Sequence, residues 1–119
     1  VSGIVVLTNP TPMGYLGGTS KVTLLVTDPV GVDSSTVKID LIDSTGASVI
    51  SGPQVMQKSL TVTDSYSYTL PIPNNLTGTS NKVLKAQVTA ADLKGVAIVT
   101  PVVVATITVP FPPPGPGGP

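Results

Sequence analysis

The sequence contains no arginine, glutamate, histidine, cysteine or tryptophan, and charge of either sign is scarce. Six lysines and six aspartates make up 10% of the 119 residues and give a formal net charge of zero. Nucleic-acid binding requires a basic face that neutralises phosphates, and six scattered lysines do not supply one. Without histidine, cysteine, glutamate or arginine, the usual general bases, thiol nucleophile and guanidinium clamps are missing. We therefore expect neither a nucleic-acid-binding protein nor an enzyme.

Long apolar runs are equally absent. No stretch approaches the roughly 20 apolar residues that a membrane-spanning helix requires, so we expect no membrane insertion. The chain shows no signal peptide and begins with valine, which predicts a processed chain or an excerpt from a longer one. Its abundance of Thr, Ser, Val, Gly and Asn is typical of secreted surface proteins. We therefore expect an extracellular or cell-surface location, and no feature indicates a small-molecule ligand.

Residues that favour β-strands dominate the rest of the composition. The chain has 19 valines and 16 threonines, which are β-branched and suit a pleated sheet. Alternation of apolar and polar residues predicts about seven strands, at 2–8, 21–27, 36–42, 47–56, 59–72, 82–90 and 96–109. Gly52-Pro53 makes the fourth a short edge strand, Asp64 bends the fifth and Pro101 divides the last. The side chains predicted to face inward are Val22, Leu24, Val26, Val37, Ile39, Leu41, Leu60, Val62, Tyr66, Tyr68, Leu70, Ile72, Leu84, Ala86, Val88 and Ala90.

Short strands separated by turn signals predict an all-β fold. The expected architecture is an antiparallel immunoglobulin-like β-sandwich over residues 1–109. A closed barrel is the alternative, but proline-marked edges and irregular strand spacing favour the sandwich. Residues 110–119 hold six of the 13 prolines and are predicted to form a C-terminal polyproline-type tail or linker.

Three turns share the pattern Asp-x-x-Gly, at residues 28–31, 43–46 and 92–95. Aspartate at the first turn position accepts hydrogen bonds from nearby backbone N–H groups, and glycine at the fourth position adopts a positive φ. Each pattern follows a strand at the point where its apolar alternation stops. We therefore predict that these turns terminate strands.

Two longer segments carry a family resemblance. They read GGTSKVTLLVTDPVGVDSSTVKIDLID and KVLKAQVTAADLKGVAIVTPVVVATITV. These segments resemble the second-to-third and sixth-to-seventh strands of bacterial Ig-like repeat domains, which are similar to cadherin-like and fibronectin type III modules. The last strands of that family usually enclose the motif Ala-x-Asp-x-x-Gly-Asn. Residues 90–95 fit this motif, but Val96 stands in place of the asparagine. Leu84 replaces an aromatic residue that is frequent early in the sixth strand of the family. The resemblance implies a structural or adhesive surface module.

Aspartates at one pole are candidate metal ligands. In a seven-stranded sandwich the turns after the second and sixth strands lie at the same pole, which would bring Asp28, Asp33 and Asp92 together. Hard oxygen ligands suit Ca²⁺, which binds about six to eight oxygens. The alternative is that the three aspartates only shape their turns. No cofactor other than Ca²⁺ is indicated.

Two further features concern carbohydrate. Asn75-Leu76-Thr77 is a sequon in a predicted turn, so Asn75 is expected to be exposed and is a candidate N-glycosylation site. Tyr66 and Tyr68 share the apolar face of a predicted strand, which favours core packing over a sugar-binding platform. A carbohydrate-binding module therefore ranks third among the functional hypotheses.

The terminal strands are apolar on both faces. The first contains Ile4, Val5, Val6 and Leu7, and the last contains Val102, Val103 and Val104. A strand of this kind needs cover on both sides. Loops and tails of the same domain could supply the cover, or a neighbouring copy could, in which case these side chains are assembly residues.

The tail is predicted to be long enough to extend towards a neighbouring copy of the chain. An odd number of strands makes the chain enter at one pole of the sandwich and leave at the other. Ten residues in polyproline II conformation, rising about 3.1 Å each, would extend roughly 30 Å, comparable to the length of a sandwich module. Proline already restricts such a segment, so binding orders it at low entropic cost. The candidate anchor is Phe111, which is followed by Pro112, Pro113 and Pro114.

These features favour a non-enzymatic extracellular structural subunit that assembles head to tail into a fibre or surface polymer. Its apolar terminal strands and proline-rich tail would contact other copies of the chain. The alternative hypothesis is one Ig-like repeat of a long cell-surface adhesin, stabilised by Ca²⁺, in which the tail links adjacent domains of one chain.

Overall fold

The computed structural model describes residues 3–6 and 14–112, with only the backbone described at residues 99–101. Eight strands and one short 3-10 helix make up the regular structure of these ranges. The strands are β1 (Gly3–Val6), β2 (Gly18–Thr27), β3 (Lys38–Ile42), β4 (Gln54–Val55), β5 (Gln57–Lys58), β6 (Ser65–Ile72), β7 (Lys82–Ala91) and β8 (Ala97–Val109). The 3-10 helix covers Ser34–Thr36, between β2 and β3. Leu7 lies outside the described residues, as do residues 2 and 8 of the first predicted strand.

The strands form two four-stranded antiparallel sheets, which confirms the prediction of an all-β antiparallel sandwich. The first sheet has the order β1-β2-β6-β5 and the second the order β4-β3-β7-β8. β4 pairs with β3 in the second sheet and β5 pairs with β6 in the first, so the chain passes from one sheet to the other at Met56. Apart from the added edge strand β4, this pairing is that of the immunoglobulin sandwich, whose sheets are ABED and CFG.

The core lies between the sheets and follows the predicted alternation closely. In β2 the inward side chains Val22, Leu24 and Val26 are buried, and in β7 the buried positions are again every second residue. Val37, Ile39 and Leu41 face them from β3 and the residue before it. Tyr66 is fully buried, while Tyr68 is half-buried and packs against the core. Period-two alternation therefore identifies the inner face of each central strand.

The fifth predicted strand is shorter than expected. It begins at Ser65, so the prediction that Leu60 and Val62 face the core is wrong: both are exposed, Leu60 by 98%. The hydroxyl of Ser59 accepts hydrogen bonds from the backbone N–H groups of Thr61 and Val62, at 3.2 and 3.0 Å, which turns the chain. Asp64, the predicted bend, has a positive φ of 63°. Local hydrogen bonding here outcompetes the apolar alternation.

β8 is one continuous strand, although Pro101 was predicted to divide it. Its register against β7 shifts around the proline, since Val88 pairs with Val102 and Ala90 pairs with Val99. β8 lies at the edge of its sheet, where a residue without an N–H group is tolerated. The proline therefore produces a local irregularity and not a break.

The chain enters and leaves the sandwich at opposite poles, as predicted. At one pole, here the N-terminal pole, Gly3 of β1 pairs with Thr27 at the end of β2. At the other, the C-terminal pole, Val109 at the end of β8 pairs with Lys82 at the start of β7. β4 and β5 follow one another in the same direction, so together they carry the chain from one pole to the other only once. The eight strands therefore make seven passages between the poles, which is an odd number.

Candidate functional site

The Asp-x-x-Gly turns have the geometry that the sequence predicts. The first turn is representative: Gly31 N–H donates to the Asp28 carbonyl at 3.1 Å, and Val30 N–H donates to Asp28 Oδ2 at 2.9 Å. The other two turns repeat both contacts, and all three glycines have positive φ values between 82 and 108°. In the middle turn, hydrogen bonds from the hydroxyl and backbone N–H of Thr45 lower the pKa of Asp43.

Asp28, Asp33 and Asp92 lie at the N-terminal pole, as predicted, but they do not form a metal-ligating group. The backbone N–H of Asp33 donates to the Ala91 carbonyl at 3.0 Å, which ties the two loops together. The carboxylate of Asp33 accepts from Ser35, and Asp92 Oδ1 accepts two backbone N–H groups of its own turn. Within residues 3–6 and 14–112, no three acidic side chains converge on one point. The geometry gives these aspartates a role in turn formation.

Asn75 is buried, so the prediction that it would be exposed is wrong. Its side chain is 5% exposed, and Asn75 Nδ2 donates to the carbonyls of Ser80 and Val109, at 2.9 and 3.0 Å. Its backbone N–H donates to the Tyr15 carbonyl at 2.7 Å. Gly78 leaves room for it, because any Cβ at that position would collide with Asn75 Oδ1. The nitrogen that glycosylation would modify is thus committed to two carbonyls, and the backbone N–H of Asn75 ties in a further segment.

The terminal strands divide their apolar side chains between the core and solvent. Ile4 of β1 and Val104 of β8 are half-buried and pack against the core. Val5 and Val6 of β1 and Val102 and Val103 of β8 are exposed. β1 also approaches β8, so the two terminal strands share one side of the sandwich. Four of the predicted assembly residues are therefore accessible there, with no strand beyond β8 among the described residues.

A shallow groove runs over the outer face of the second sheet. Its volume is about 550 Å³, and Ile42, Val83 and Val103 supply its apolar lining. The turn that follows β3 forms one wall, and Lys85 and Gln87 complete the lining. The groove places the exposed Val103 beside other aliphatic side chains, which extends the apolar surface of β8 onto the face of the sheet.

The tail begins at the C-terminal pole. Phe111 is 45% exposed and Pro112 is partly buried, while Pro113 and Pro114 lie outside the described residues. The Asn75 hydrogen bond to Val109 fixes the backbone two residues before Phe111. The position from which the tail departs is therefore set by the fold, whereas its polyproline conformation stays a prediction.

Exposed apolar residues also lie at both poles, and, apart from Phe111, the sequence patterns did not indicate them as surface features. At the N-terminal pole these residues are Val30, Leu60, Val62, Leu93 and Val96, here called the N-terminal patch. At the C-terminal pole they are Leu16, Leu76 and Phe111, here called the C-terminal patch. The available signal was the presence of large aliphatic residues inside turn sequences, as in Asp92-Leu93-Lys94-Gly95, where polar residues are usual.

No helix within the described residues is long and apolar enough to cross a membrane. A scan against protein-family models found no match, and a search of the curated proteins found no significant match. The function of the chain must therefore be inferred from its own surfaces.

Proposed function

We propose that the chain is a non-enzymatic extracellular structural subunit that assembles head to tail into a fibre or surface polymer. The observation that carries the proposal is the placement of the first and last strands, β1 and β8. β1 begins at one pole, β8 ends at the other, and the proline-rich tail continues from the second pole. A repeated contact between opposite poles is heterologous, and such contacts give open chains when no rotation closes them.

The composition of β8 supports assembly through its edge. Edge strands usually avoid pairing with other chains by carrying charges, especially lysine. After Lys94, however, none of the last 25 residues is charged. Over Ala105–Val109 the register with β7 is regular, and β8 is the last strand of its sheet in the described residues. A second copy could add a strand there or place its proline-rich tail against the exposed valines.

A bacterial Ig-like repeat is the second candidate, because a first strand that begins at one pole and a last strand that ends at the other also suit one module in a string of modules. In that case the tail is a linker to an adjacent domain of one chain. A surface location follows from either reading. The positions of Asp28, Asp33 and Asp92 give no support to a Ca²⁺-stabilised version.

Deletion of the tail tests the proposal. The chain of 119 residues and a variant lacking residues 110–119 are concentrated in parallel and examined by light scattering and electron microscopy. We expect fibres from the full chain and a large loss of fibres from the deletion variant. The variant Phe111→Ala keeps the tail but removes the candidate anchor, and we expect an intermediate loss.

Melting temperatures serve as the control, since the deletion begins after the last strand and should leave the sandwich folded. A 119-residue chain that stays monomeric at the highest concentration would refute the polymer and favour the adhesin repeat.

A further inference from the structure

We propose that the N-terminal patch of one copy is the docking surface for the C-terminal patch of the next copy. This inference deepens the proposed function and rests on it. It adds a defined contact between the poles that includes the tail anchor Phe111 but involves neither the edge of β8 nor the prolines that follow Phe111. The occupant of the N-terminal patch is thus a second copy of this chain.

The N-terminal patch is built from three loops held at one pole. Leu93 N–H donates to the Gly31 carbonyl at 3.1 Å, which fixes the loop after β7 against the loop after β2. The third loop is attached where Val26 N–H donates to the Asp64 carbonyl at 3.0 Å. Leu60 and Leu93, at 98% and 66% exposed, are the largest side chains on this surface. A backbone held by hydrogen bonds beneath exposed leucines suits an interface that loses little entropy on binding.

The C-terminal patch converges on Asn75. Its backbone N–H bonds to Tyr15, which precedes Leu16, and its Nδ2 bonds to Val109, two residues before Phe111. Leu76 follows Asn75 directly, and Leu16 is 68% exposed. One buried asparagine therefore holds three exposed apolar side chains from three different segments at the same pole.

The charges of the two poles are complementary. The half of the sandwich nearest the N-terminal pole, with its loops, holds Asp28, Asp33, Asp64 and Asp92 against Lys38, Lys58 and Lys94. The half of the strands nearest the C-terminal pole holds Lys21, Lys82 and Lys85, against Asp43 in the turn after β3. Head-to-tail stacking brings the acidic pole to the basic one, whereas head-to-head contact would oppose like charges. The small excess of aspartate at one pole and of lysine at the other therefore favours the orientation that the proposed polymer requires.

A lipid surface is the competing occupant of an apolar tip. Aspartates around the N-terminal patch disfavour it, because membrane surfaces that attract peripheral proteins are commonly anionic and bind basic segments. Each patch is also small, with three to five apolar side chains, which suits a contact between copies that is reinforced by the tail.

Two variants with complementary defects test the docking. The N-patch variant carries Leu60→Ser and Leu93→Ser, and the C-patch variant carries Leu16→Ser and Leu76→Ser. All four leucines are exposed, so the fold should survive, and circular dichroism checks that it does. The matched control is Val55→Thr, which alters an exposed apolar side chain of β4 that belongs to neither patch.

We expect each double variant to raise the critical concentration for assembly by at least about tenfold, and the control to change it less than about twofold. A 1:1 mixture of the two variants gives the sharper result. The intact C-terminal patch of one variant can dock on the intact N-terminal patch of the other, and growth then stops. Sedimentation velocity should therefore show dimers in the mixture and monomers in each variant alone.

Failure of this inference can be told apart from failure of the proposed function. If the wild-type chain forms fibres and both variants form them equally well, the patches are not the interface, although the polymer stands. A mixture that contains only monomers overturns the pairing of the two patches. Binding of the wild-type chain to anionic vesicles, lost in the N-patch variant while its fibres persist, would make the N-terminal patch a lipid site. A monomeric wild-type chain refutes both proposals.

Discussion

The middle and the poles of the sandwich use apolar residues in opposite ways. In the middle, strands such as β2 and β7 bury every second side chain against the facing sheet, and the intervening positions are largely polar. At the poles, leucines and valines lie in turns and remain exposed. The first pattern stabilises the fold of one copy. The second leaves apolar surface that one copy cannot bury, which is the property expected of a subunit that meets its neighbours at its ends.

The largest expected difference between these regions is in stability. We expect Leu41→Ala to lower the free energy of unfolding by about 2–5 kcal/mol, because Leu41 is fully buried and its loss leaves a cavity. The matched variant Leu60→Ala removes the same atoms from a side chain at the N-terminal pole and should cost less than about 0.5 kcal/mol. Urea denaturation of both variants measures the difference. Equal losses would contradict the assignment of Leu60 to the surface.

Asn75 has features of both regions. Its side chain is buried, and its hydrogen bonds hold together the segments of the C-terminal pole. We expect Asn75→Ala to cost about 1–3 kcal/mol, because the carbonyls of Ser80 and Val109 lose their donor. Critical concentrations should also rise, since the C-terminal patch loses its common attachment. Asn74→Ala is the control: its Oδ1 makes one long contact, at 3.4 Å to Leu76 N–H. If the two variants behave alike in denaturation and in assembly, Asn75 does not organise this pole.

The smallest expected effect is a loss of stability at alkaline pH, caused by Tyr66 in the middle of the sandwich. Burial, with smaller contributions from Asp64 and Asp33, raises the pKa of Tyr66 above its usual value of 10.0. The folded state therefore keeps the Tyr66 proton after the unfolded chain has lost it. This contribution to stability is complete below pH 10 and is lost as the pH rises through the folded-state pKa.

Thermal melting between pH 9 and 12 measures this effect. Other groups also titrate in this range, so the wild type is compared with Tyr66→Phe, which lacks the ionisable hydroxyl. We expect the wild type to lose more stability than the variant above pH 10. Parallel curves would show that Tyr66 does not ionise on unfolding.

The sequence predicts the middle of the molecule far better than its poles. Alternation of apolar residues locates β2, β3 and β7 because central strands have one fixed inner face. It fails at Leu60 and Val62, where the hydroxyl of Ser59 bends the backbone and turns alternating residues into a loop. The apolar alternation is the same in both places, and the local hydrogen bonds of Ser59 distinguish them.

The candidate surfaces show the same limit. The Asp-x-x-Gly turns were predicted correctly because their geometry is local and depends on four residues. Asn75 was predicted to be exposed because its burial depends on contacts with Ser80 and Val109, and Val109 lies 34 positions away. No turn rule contains that information. The apolar edge of β8 was visible in the sequence, whereas the patches at the poles required the loops to be placed in space.

Sedimentation velocity of the 119-residue chain over a wide concentration range tests the central claim most directly. Head-to-tail assembly predicts a broad series of species that lengthens with concentration, without a preferred closed oligomer, and that shortens when residues 110–119 are removed. A single monomeric boundary at every concentration, or one closed oligomer that the deletion leaves unchanged, would contradict it.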